Sequence, residues 1–248
     1  MTRGLYTAAT GMLAEQTAQD ALAQNLANAS TTGYKEDIPQ FGSFADTLMK
    51  RSGDSGGAVG SVGCGAQIQA LATDFSDGAL QKTGNSLDLA LTGDASLAIQ
   101  TTAGPRLSRD GALTRNAQGL LVQASGGGLV LGVSGQPIRI LGQAKNIVIT
   151  PQGRITVDGK AAGQLRLVGL SRTSGATKAG DNQFIQSGAR PVSAGAGVQQ
   201  GYLESSNVSV VKEMVAMISC MRAYETNQKM AKAQDEMTGK AVNDVGKV

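Results

Sequence analysis

The sequence contains no histidine and no tryptophan, and aromatic residues make up only 3% of its 248 positions. Without histidine the chain cannot form a Ser-His-Asp triad, a metal site with histidine ligands or an imidazole acid–base pair. Its two cysteines, Cys64 and Cys220, lie far apart without metal-ligand spacing, which favours two free thiols over a zinc site or a disulfide scaffold. We therefore expect no metal and no cofactor.

Excess charge and long apolar runs are also scarce. The 22 Lys and Arg residues nearly balance 19 Asp and Glu, and there is no basic run, so a nucleic-acid partner is not expected. No apolar run approaches the roughly 20 residues of a membrane-spanning helix. The first residues, MTRGLYT, lack the apolar segment of a secretory signal. We expect a chain that stays inside the cell or is exported without a cleavable signal peptide.

Glycine, in contrast, is abundant, with 34 residues against 5 prolines. It has no collagen period, so the count indicates many turns and closely packed small positions. Two glycine-rich segments, 52–65 and 187–201, bracket the middle of the chain and are interpreted as connectors. The first has neither a GxGxxG motif nor the Lys-Ser/Thr of a P-loop, so a phosphate-binding loop is not expected.

The first 30 residues have a helical pattern. Leu5, Met12, Gln19 and Leu26 recur every seven positions, with small residues beside them. This predicts an amphipathic helix with a narrow apolar seam. Because the seam is made of small residues and glutamines, it needs a partner helix.

The end of the chain repeats this pattern in a longer segment without glycine or proline, from 206 to 236. We predict a long amphipathic helix there, with Ser206 or Asn207 as its N-cap and Gly239 as its stop. Its apolar stripe follows steps of four and three and comprises Val210, Met214, Met217, Met221, Tyr224, Gln228 and Ala231, widened by Val211, Val215 and Ile218.

The middle of the chain changes to strand periodicity. Residues 87–91 alternate strictly, and Asp110-Gly111 predicts a hairpin turn between two short apolar runs. Short strands at this spacing are typical of an antiparallel sandwich or barrel-like domain. Further strands are expected at 97–99, 120–123, 129–133, 137–141, 146–150, 154–157 and 164–170.

These patterns together predict an α+β fold. The N- and C-terminal helices pair as a coiled-coil-like module, and a mainly antiparallel β domain is inserted between them. The predicted divisions are an N-terminal helical segment at 1–35, an extended Gly- and Ser-rich connector at 36–65, a β domain at 66–190, a connector at 191–205 and a C-terminal helix at 206–248.

No group of residues predicts catalysis, so we expect no enzyme. The carboxylates Asp74, Asp77, Asp88, Asp94 and Asp110 are scattered, mostly in turn contexts where Asp forms local hydrogen bonds, and a hydrolase would need them to converge. Two other classes stay open on the residues alone. One is a self-assembling structural protein, favoured because methionine-rich stripes repack easily between subunits. The other is a soluble carbohydrate- or protein-binding β module dimerised by its helices.

Three segments carry a family resemblance. LYTAATGMLAEQ at 5–16, followed by NLANASTTGYK at 25–35, resembles the N-terminal motif of bacterial flagellar rod and hook proteins. GYLESSNVSVVKEMVAMISCMRAYETNQKM at 201–230 is similar to their C-terminal motif. GNSLDLALTGDASLAIQTTAGPRLSRDGALTRNAQGLLV at 84–122 resembles their shared β domain. Motifs at both ends and in the middle make chance similarity very improbable.

The resemblance implies a structural subunit of the flagellar basal-body rod in the periplasm, exported by the flagellar type III apparatus. Such subunits assemble with copies of themselves and other rod proteins into a helical tube that transmits torque and encloses the export channel. The length and the compact middle resemble the proximal rod protein more than the hook protein, whereas the segments ESSNV and MRAYETN, within 204–227, also resemble the distal rod protein. The resemblance favours the proximal rod, with the distal rod next. The residues expected at subunit interfaces are Leu5, Met12, Leu22, Asn25, Leu26, Asn28, Tyr34, Asn207, Val211, Met214, Met217, Ile218, Met221 and Tyr224.

Overall fold

The computed structural model describes residues 2–43, 47–50, 58–63, 65–140, 146–170, 175–180, 182–186, 188 and 191–245. Cys64 lies outside the described residues. The chain divides into two compact units. Unit 1 contains residues 1–27, 37–72 and 209–248, and unit 2 contains residues 28–36 and 73–208.

Unit 1 is built on two helices, α1 (Thr2–Ala27) and α2 (Val210–Val245). They pack against each other and run antiparallel, since Gly4 lies beside Gln234 and Gly11 lies beside Asn227. A Cβ atom at either glycine would come within 2.9 Å of the facing side chain. Small residues on α1 therefore allow the close approach of α2.

Both ends of α2 differ from the sequence-based prediction. The helix begins at Val210, and the backbone N–H of Glu213 donates to the Ser209 carbonyl, so neither Ser206 nor Asn207 is its N-cap. It also continues through Gly239 to Val245. A single glycine costs a helix only about 1 kcal/mol, which the surrounding good helix formers tolerate.

The described residues of unit 1 also form four strands. β1 (Asp37–Ser43) pairs with β4 (Ala66–Thr73), and β1 packs beside α1. β2 (Thr47–Lys50) and β3 (Ala58–Val62) form an antiparallel pair with a register shift between Met49 and Lys50. Two-stranded ribbons are marginal by themselves, so the helix beside β1 contributes to its stability.

Unit 2 is almost entirely β. Its largest sheet joins strands in the order β16-β17-β8-β7-β11-β10-β9, with β15 also paired to β7. β12, β13 and β14 form a second sheet, and β18-β6 and β19-β5 form pairs. The strands are β5 (Leu80–Lys82), β6 (Leu89–Thr92), β7 (Ala95–Thr101), β8 (Gly104–Ser108), β9 (Leu113–Arg115), β10 (Leu121–Gln123), β11 (Leu129–Val130), β12 (Ile147–Ile149), β13 (Arg154–Val157), β14 (Lys160–Gln164), β15 (Leu167–Gly169), β16 (Thr177–Lys178), β17 (Gln183–Ile185), β18 (Gly197–Gln200) and β19 (Tyr202–Glu204).

The core of unit 2 lies on both faces of β7. Leu97 and Ile99 belong to the larger cluster, with Leu89, Leu121 and other aliphatic residues. Ala98, on the opposite face, belongs to a second cluster around Phe184. Successive residues of a strand point to opposite faces, so the centre of this strand, residues 97–99, is apolar on both faces instead of alternating. The architecture confirms the α+β class, with two terminal helices and many antiparallel strands.

The predicted hairpin at Asp110-Gly111 is wrong. The dipeptide connects β8 to β9, but β8 pairs with β7 and β17, whereas β9 pairs with β10. Gly111 instead packs against the Leu89 backbone, where a Cβ atom would lie 1.7 Å from the carbonyl oxygen. Close backbone approach, not turn geometry, requires glycine here.

Candidate functional site

The first candidate site is an apolar face of α2 that is exposed in unit 1. We call its residues the outer stripe. They recur at helical spacing, yet the residues of α2 that contact α1, such as Cys220 and Asn227, lie on another side of the helix. An exposed apolar row of this length is typical of an interaction surface. The outer stripe comprises Val210, Val211, Met214, Val215, Ile218, Met221 and Tyr224.

Helix α1 has a similar exposed face in its first half. Leu5, Tyr6 and Leu13 are exposed. Its other face is buried and is lined by alanines, including Ala14 and Ala18. Each helix therefore packs on its neighbour in the chain with one side and presents apolar side chains to solvent with another.

The contact between α1 and α2 is made by small side chains. Ala18, Leu22 and Cys220 form a buried cluster, with Met217 packed at its edge. The Cys220 thiol donates a hydrogen bond to the Glu15 carbonyl at 3.0 Å. Burial, and then the side chain of Glu15 through hydrogen bonding and charge, raise the pKa of Cys220 to about 12. The thiol is thus protonated and unreactive at neutral pH.

Asn25 connects three elements of unit 1 and has no exposed surface. Its side-chain amide donates to the Asp37 carbonyl at 2.9 Å and to the Glu213 carboxylate at 3.0 Å. Its carbonyl oxygen accepts the Asp37 backbone N–H at 3.0 Å. These bonds link the end of α1 to β1 and to the first turn of α2. A buried amide satisfied in this way specifies one register of its partners.

The second candidate site is in unit 2, where residues 28–36 dock onto the β strands. We call this segment loop 28–36. Thr32 donates to Asp110 at 2.7 Å, and its carbonyl accepts the Asn182 amide at 2.7 Å. The Gly33 N–H donates to the Glu204 carbonyl at 2.8 Å, and the Glu36 carbonyl accepts the Asp74 N–H at 2.8 Å. Loop 28–36 is therefore held by residues far away in sequence.

Gly33 is the closest point of this docking. Its φ of +65° is in the left-handed region, and a Cβ atom would lie 2.5 Å from the carbonyl carbon and oxygen of Arg109. Both the backbone conformation and the missing side chain are needed here. The ring of Tyr34, next in sequence, is buried beneath the Lys178 ammonium, whose nitrogen is 4.1 Å from the ring centroid.

A group of charged residues, most of them buried, lies where loop 28–36 docks and includes Lys35 of the loop itself. We call Lys35, Asp77, Arg109 and Glu204 the charge cluster. The Lys35 ammonium donates to Glu204 Oε1 at 2.7 Å and to the Ser76 carbonyl at 2.6 Å. Arg109 donates through Nε to Glu204 Oε2 at 3.0 Å and through a terminal nitrogen to Asp77 at 2.9 Å. Glu204 thus neutralises two cations at once.

Burial makes this arrangement energetically demanding. The side chains of Lys35 and Arg109 have no exposed surface, that of Glu204 has 1%, and Asp77 keeps 47%. Burial, and then the charge of Arg109, lower the pKa of Lys35, while Glu204 opposes that shift. Removing one partner of a buried ion pair leaves an uncompensated charge, so the loss of Lys35, Arg109 or Glu204, the three buried members, is costly.

Asn207, near the end of unit 2, also binds loop 28–36. We call the contacts of this loop with Glu204 and Asn207 the junction. Its side-chain oxygen accepts the Glu36 N–H at 2.8 Å, and its amide donates to the Asp74 carbonyl at 3.0 Å. Glu204 and Asn207, which precede α2 in sequence, therefore bind the same loop that follows α1. Every one of these contacts lies within unit 2.

Comparison with known proteins identifies the family. Residues 5–35 match the family described as flagella basal body rod protein, and residues 199–244 match the C-terminal family of the flagellar basal body rod FlgEFG proteins. The flagellar basal-body rod protein FlgG of Agrobacterium fabrum is 36% identical, covering 95% of this chain and 96% of its own length. The rod proteins FlgF of Rhizobium meliloti and of Caulobacter vibrioides are each 32% identical, with 99% and 100% of both chains covered.

The chain belongs to the flagellar basal-body rod protein family. It is accordingly a structural protein of the rod, as the motifs at 5–35 and 201–230 predicted. No helix in the described part of this rod protein is long and apolar enough to cross a membrane.

The structure separates the expected interface residues of this rod protein into two groups. Exposed on the helices of unit 1 are Leu5, Val211, Met214, Ile218, Met221 and Tyr224, with Met12, Leu26 and Met217 partly exposed. Leu22 and Asn25 are buried between α1, β1 and α2 of their own chain. Asn28, Tyr34 and Asn207 belong to unit 2, where Asn28 accepts a hydrogen bond from Thr31.

Sequence reasoning missed the charge cluster of this rod protein. Lys35 and Glu204 both lie inside the segments that carry the family resemblance, which was the available signal. Charged residues are rarely buried without partners, but nothing in the linear sequence relates positions separated by 169 residues.

Proposed function

We propose that this chain assembles with copies of itself and with other rod proteins through its terminal helices, forming part of a helical tube that transmits torque and encloses the export channel. The outer stripe of α2 and the exposed face of α1 carry this proposal. Both are apolar, both are on long helices, and the residues that pair the helices within the chain lie elsewhere. Pairing of α1 and α2 as a coiled coil, with subunits packed around it, agrees with the seven-residue spacing of Gly4, Gly11 and Ala18, which face α2.

The proposed location is the proximal part of the rod in the periplasm, reached through the flagellar type III export apparatus without a cleaved signal peptide. Its support is the length of the chain and its compact middle. The distal rod and the hook are the alternatives within the family. The predicted divisions at 1–35, 36–65, 66–190, 191–205 and 206–248 belong to this proposal, as does the absence of enzymatic activity. Imaging basal bodies after deletion of the gene would separate the alternatives by where the rod ends.

The critical test uses two methionines of α2 with matched exposure. Met221, in the outer stripe, is 49% exposed, and Met237, outside the stripe, is 55% exposed. The 16 positions between them turn the helix by about 160°. We expect Met221→Asp to abolish assembly and swimming, because a charge in a dry helical interface is desolvated without a partner. Met237→Asp should assemble as wild type does.

Both variants should be folded monomers by dichroism and sedimentation, since both side chains are exposed in the chain alone. Normal rods with Met221→Asp would refute the interface. If both variants failed equally, the effect would not be specific to the stripe. A dimer that never grows, seen in the length distribution of the wild-type protein, would favour the alternative of a β binding module dimerised by its helices.

Assembly should also order the ends of the chain. Long helices gain most of their stability from packing, and both helices expose large apolar side chains in the chain alone. We expect amide hydrogen exchange at residues 1–30 and 206–240 to be fast in the monomer and slow in rods. Strong protection of both ends in a verified monomer would contradict this.

A further inference from the structure

The charge cluster has a property that assembly does not use: it joins the two chain ends of unit 2. Lys35 follows α1, Glu204 precedes α2, and 169 positions separate them. Loop 28–36 reaches its docked position only by burying the Lys35 ammonium, which has no exposed surface there. The anion that accepts this ammonium, the Glu204 carboxylate, lies near the end of unit 2, whose last residue is Val208.

No other described side chain can replace Glu204 in this position. Asp77 is the remaining carboxylate of the charge cluster, but its oxygen is bonded to Arg109, and nearly half of its side chain is in solvent. Without Glu204, the Lys35 ammonium keeps one carbonyl oxygen, that of Ser76, faces the positive charge of Arg109, and has the half-exposed Asp77 carboxylate as its remaining opposite charge. Burying an ammonium under these conditions is unfavourable, so the loop stays in solvent.

The backbone hydrogen bonds of loop 28–36 also depend on residues at and just after β19. The Gly33 N–H needs the carbonyl of Glu204, and the Glu36 N–H needs the side chain of Asn207. Strand β19 is itself held by β5, and the Ser205 N–H beyond it donates to the Ala79 carbonyl. Docking of loop 28–36 therefore depends on the pairing of β5 with β19.

We propose that Glu204 is the closing element of unit 2: loop 28–36 docks only when β19 is in place, so a chain that has not yet paired β19 remains open at this loop. The strands around β7 carry the core and do not require the loop. Unit 2 thus forms in two steps, the core first and the junction last. For a subunit exported as proposed above, this folding order prevents loop 28–36 of a partly exported chain from docking early. Only this consequence of the folding order rests on the proposed function.

A refolding experiment on the full wild-type chain tests the order. Pulse-labelling hydrogen exchange would follow three amides that do not report on the same bond. Leu131 donates to Ala98 within the core, Asp74 donates to Glu36 of the loop, and Ser205 donates to Ala79 beyond β19. We expect Leu131 to be protected first, and Asp74 and Ser205 later in one common phase. Protection of Asp74 before Ser205 would overturn the proposal.

Removing the charge of Lys35 tests whether that charge is the reason for the late docking of loop 28–36. In Glu204→Gln we expect exchange at Asp74 to be about 100-fold faster than in wild type, with Leu131 changed much less, because one partner of a buried pair is lost. Adding Lys35→Met should restore at least 10-fold of that protection, since no cation then needs to be buried. Lys82→Met, at an exposed lysine on β5, is the matched control and should restore none.

Each result separates this proposal from the assembly function. If Lys35→Met fails to restore protection, the charge of Lys35 is not the reason for the late docking, and the proposal falls while the rod function stands. If Glu204→Gln does not fold at all, the wild-type refolding order still decides. None of these measurements requires export or assembly.

Discussion

Replacing Glu204 with Gln is the substitution that the structure makes most costly for its size. The two side chains have nearly the same volume, but Gln has no charge to offset Lys35 and Arg109. Glu204 Oε1 accepts from Lys35 at 2.7 Å and from the Gly78 N–H at 2.9 Å, and Oε2 accepts from Arg109 at 3.0 Å. A Gln side chain would direct an NH₂ group at one of these three sets of donors.

The magnitude follows from burial. Glu204 keeps only 1% of its side-chain surface, and breaking a buried pair by removing one partner costs about 3–5 kcal/mol. Asp77 contacts the same Arg109 guanidinium from the solvent side, with 47% of its side chain exposed. Exposed pairs contribute about 0–1 kcal/mol, so Asp77→Asn should cost about 1 kcal/mol or less.

The assay must report on unit 2 alone, because far-UV dichroism is dominated by the two helices. Hydrogen exchange measured at increasing urea, read at the amides of Asp74 and Ser205, gives the free energy of opening around Glu204 in the full chain. The reasoning is refuted if Glu204→Gln costs less than about 1 kcal/mol, or if Asp77→Asn costs as much.

Three further outcomes follow from the same contacts. Gly33→Ala should destabilise unit 2 by at least about 2 kcal/mol more than Gly84→Ala, measured by thermal unfolding; both glycines have positive φ, but only Gly33 faces backbone atoms. In a Cys64→Ser background, Cys220 should react with iodoacetamide at pH 8 about a thousandfold more slowly than a free thiol, since its pKa is about 12; a rate equal to that of the urea-unfolded chain would contradict its burial. Asn25→Asp should destabilise unit 1 by about 1–3 kcal/mol at pH 7, because Glu213 loses a donor and gains a facing charge; unchanged urea unfolding of α1 and α2 would show that this amide bond contributes little.

The raised pKa of Cys220 also sets a direction for alkaline stability. The folded chain holds the thiol proton more tightly than the unfolded chain does. The resulting stability is complete below the ordinary thiol pKa of 9.0 and is lost as pH rises from there towards about 12. Cys220→Ser should weaken this alkaline loss in unit 1.

Local patterns predicted the two helices and the β-rich middle of the chain, but not the strands β1 to β5, which precede residue 87. Spacing by three and four residues predicted both helices, and short alternating runs with glycine turns predicted the β-rich middle, because side-chain periodicity depends only on backbone geometry. The family motifs at both ends led to the rod without any knowledge of the fold. The absence of histidine excluded a Ser-His-Asp triad and metal sites with histidine ligands, and so favoured a structural role over catalysis.

The face by which each helix packs was harder to predict. On α1, the periodic apolar residues Leu5 and Met12 are exposed or partly exposed, whereas the adjacent positions Gly4, Gly11 and Ala18 face α2. Hydrophobicity selects large side chains, whereas close helix packing selects small ones. The large residues remain on the outside, where the proposed partners bind.

The long-range contacts were decided only by the tertiary structure. Strand β4 belongs with the helices of unit 1 although it follows a glycine-rich segment, and Asp110-Gly111 joins strands that do not pair. The charge cluster brings together Lys35, Asp77, Arg109 and Glu204 from four separate segments. A sequence determines which local conformations are favourable, because these depend on neighbouring residues. Which distant charges share one dry site depends on how strands pair across the whole chain, and only the folded structure specifies that pairing.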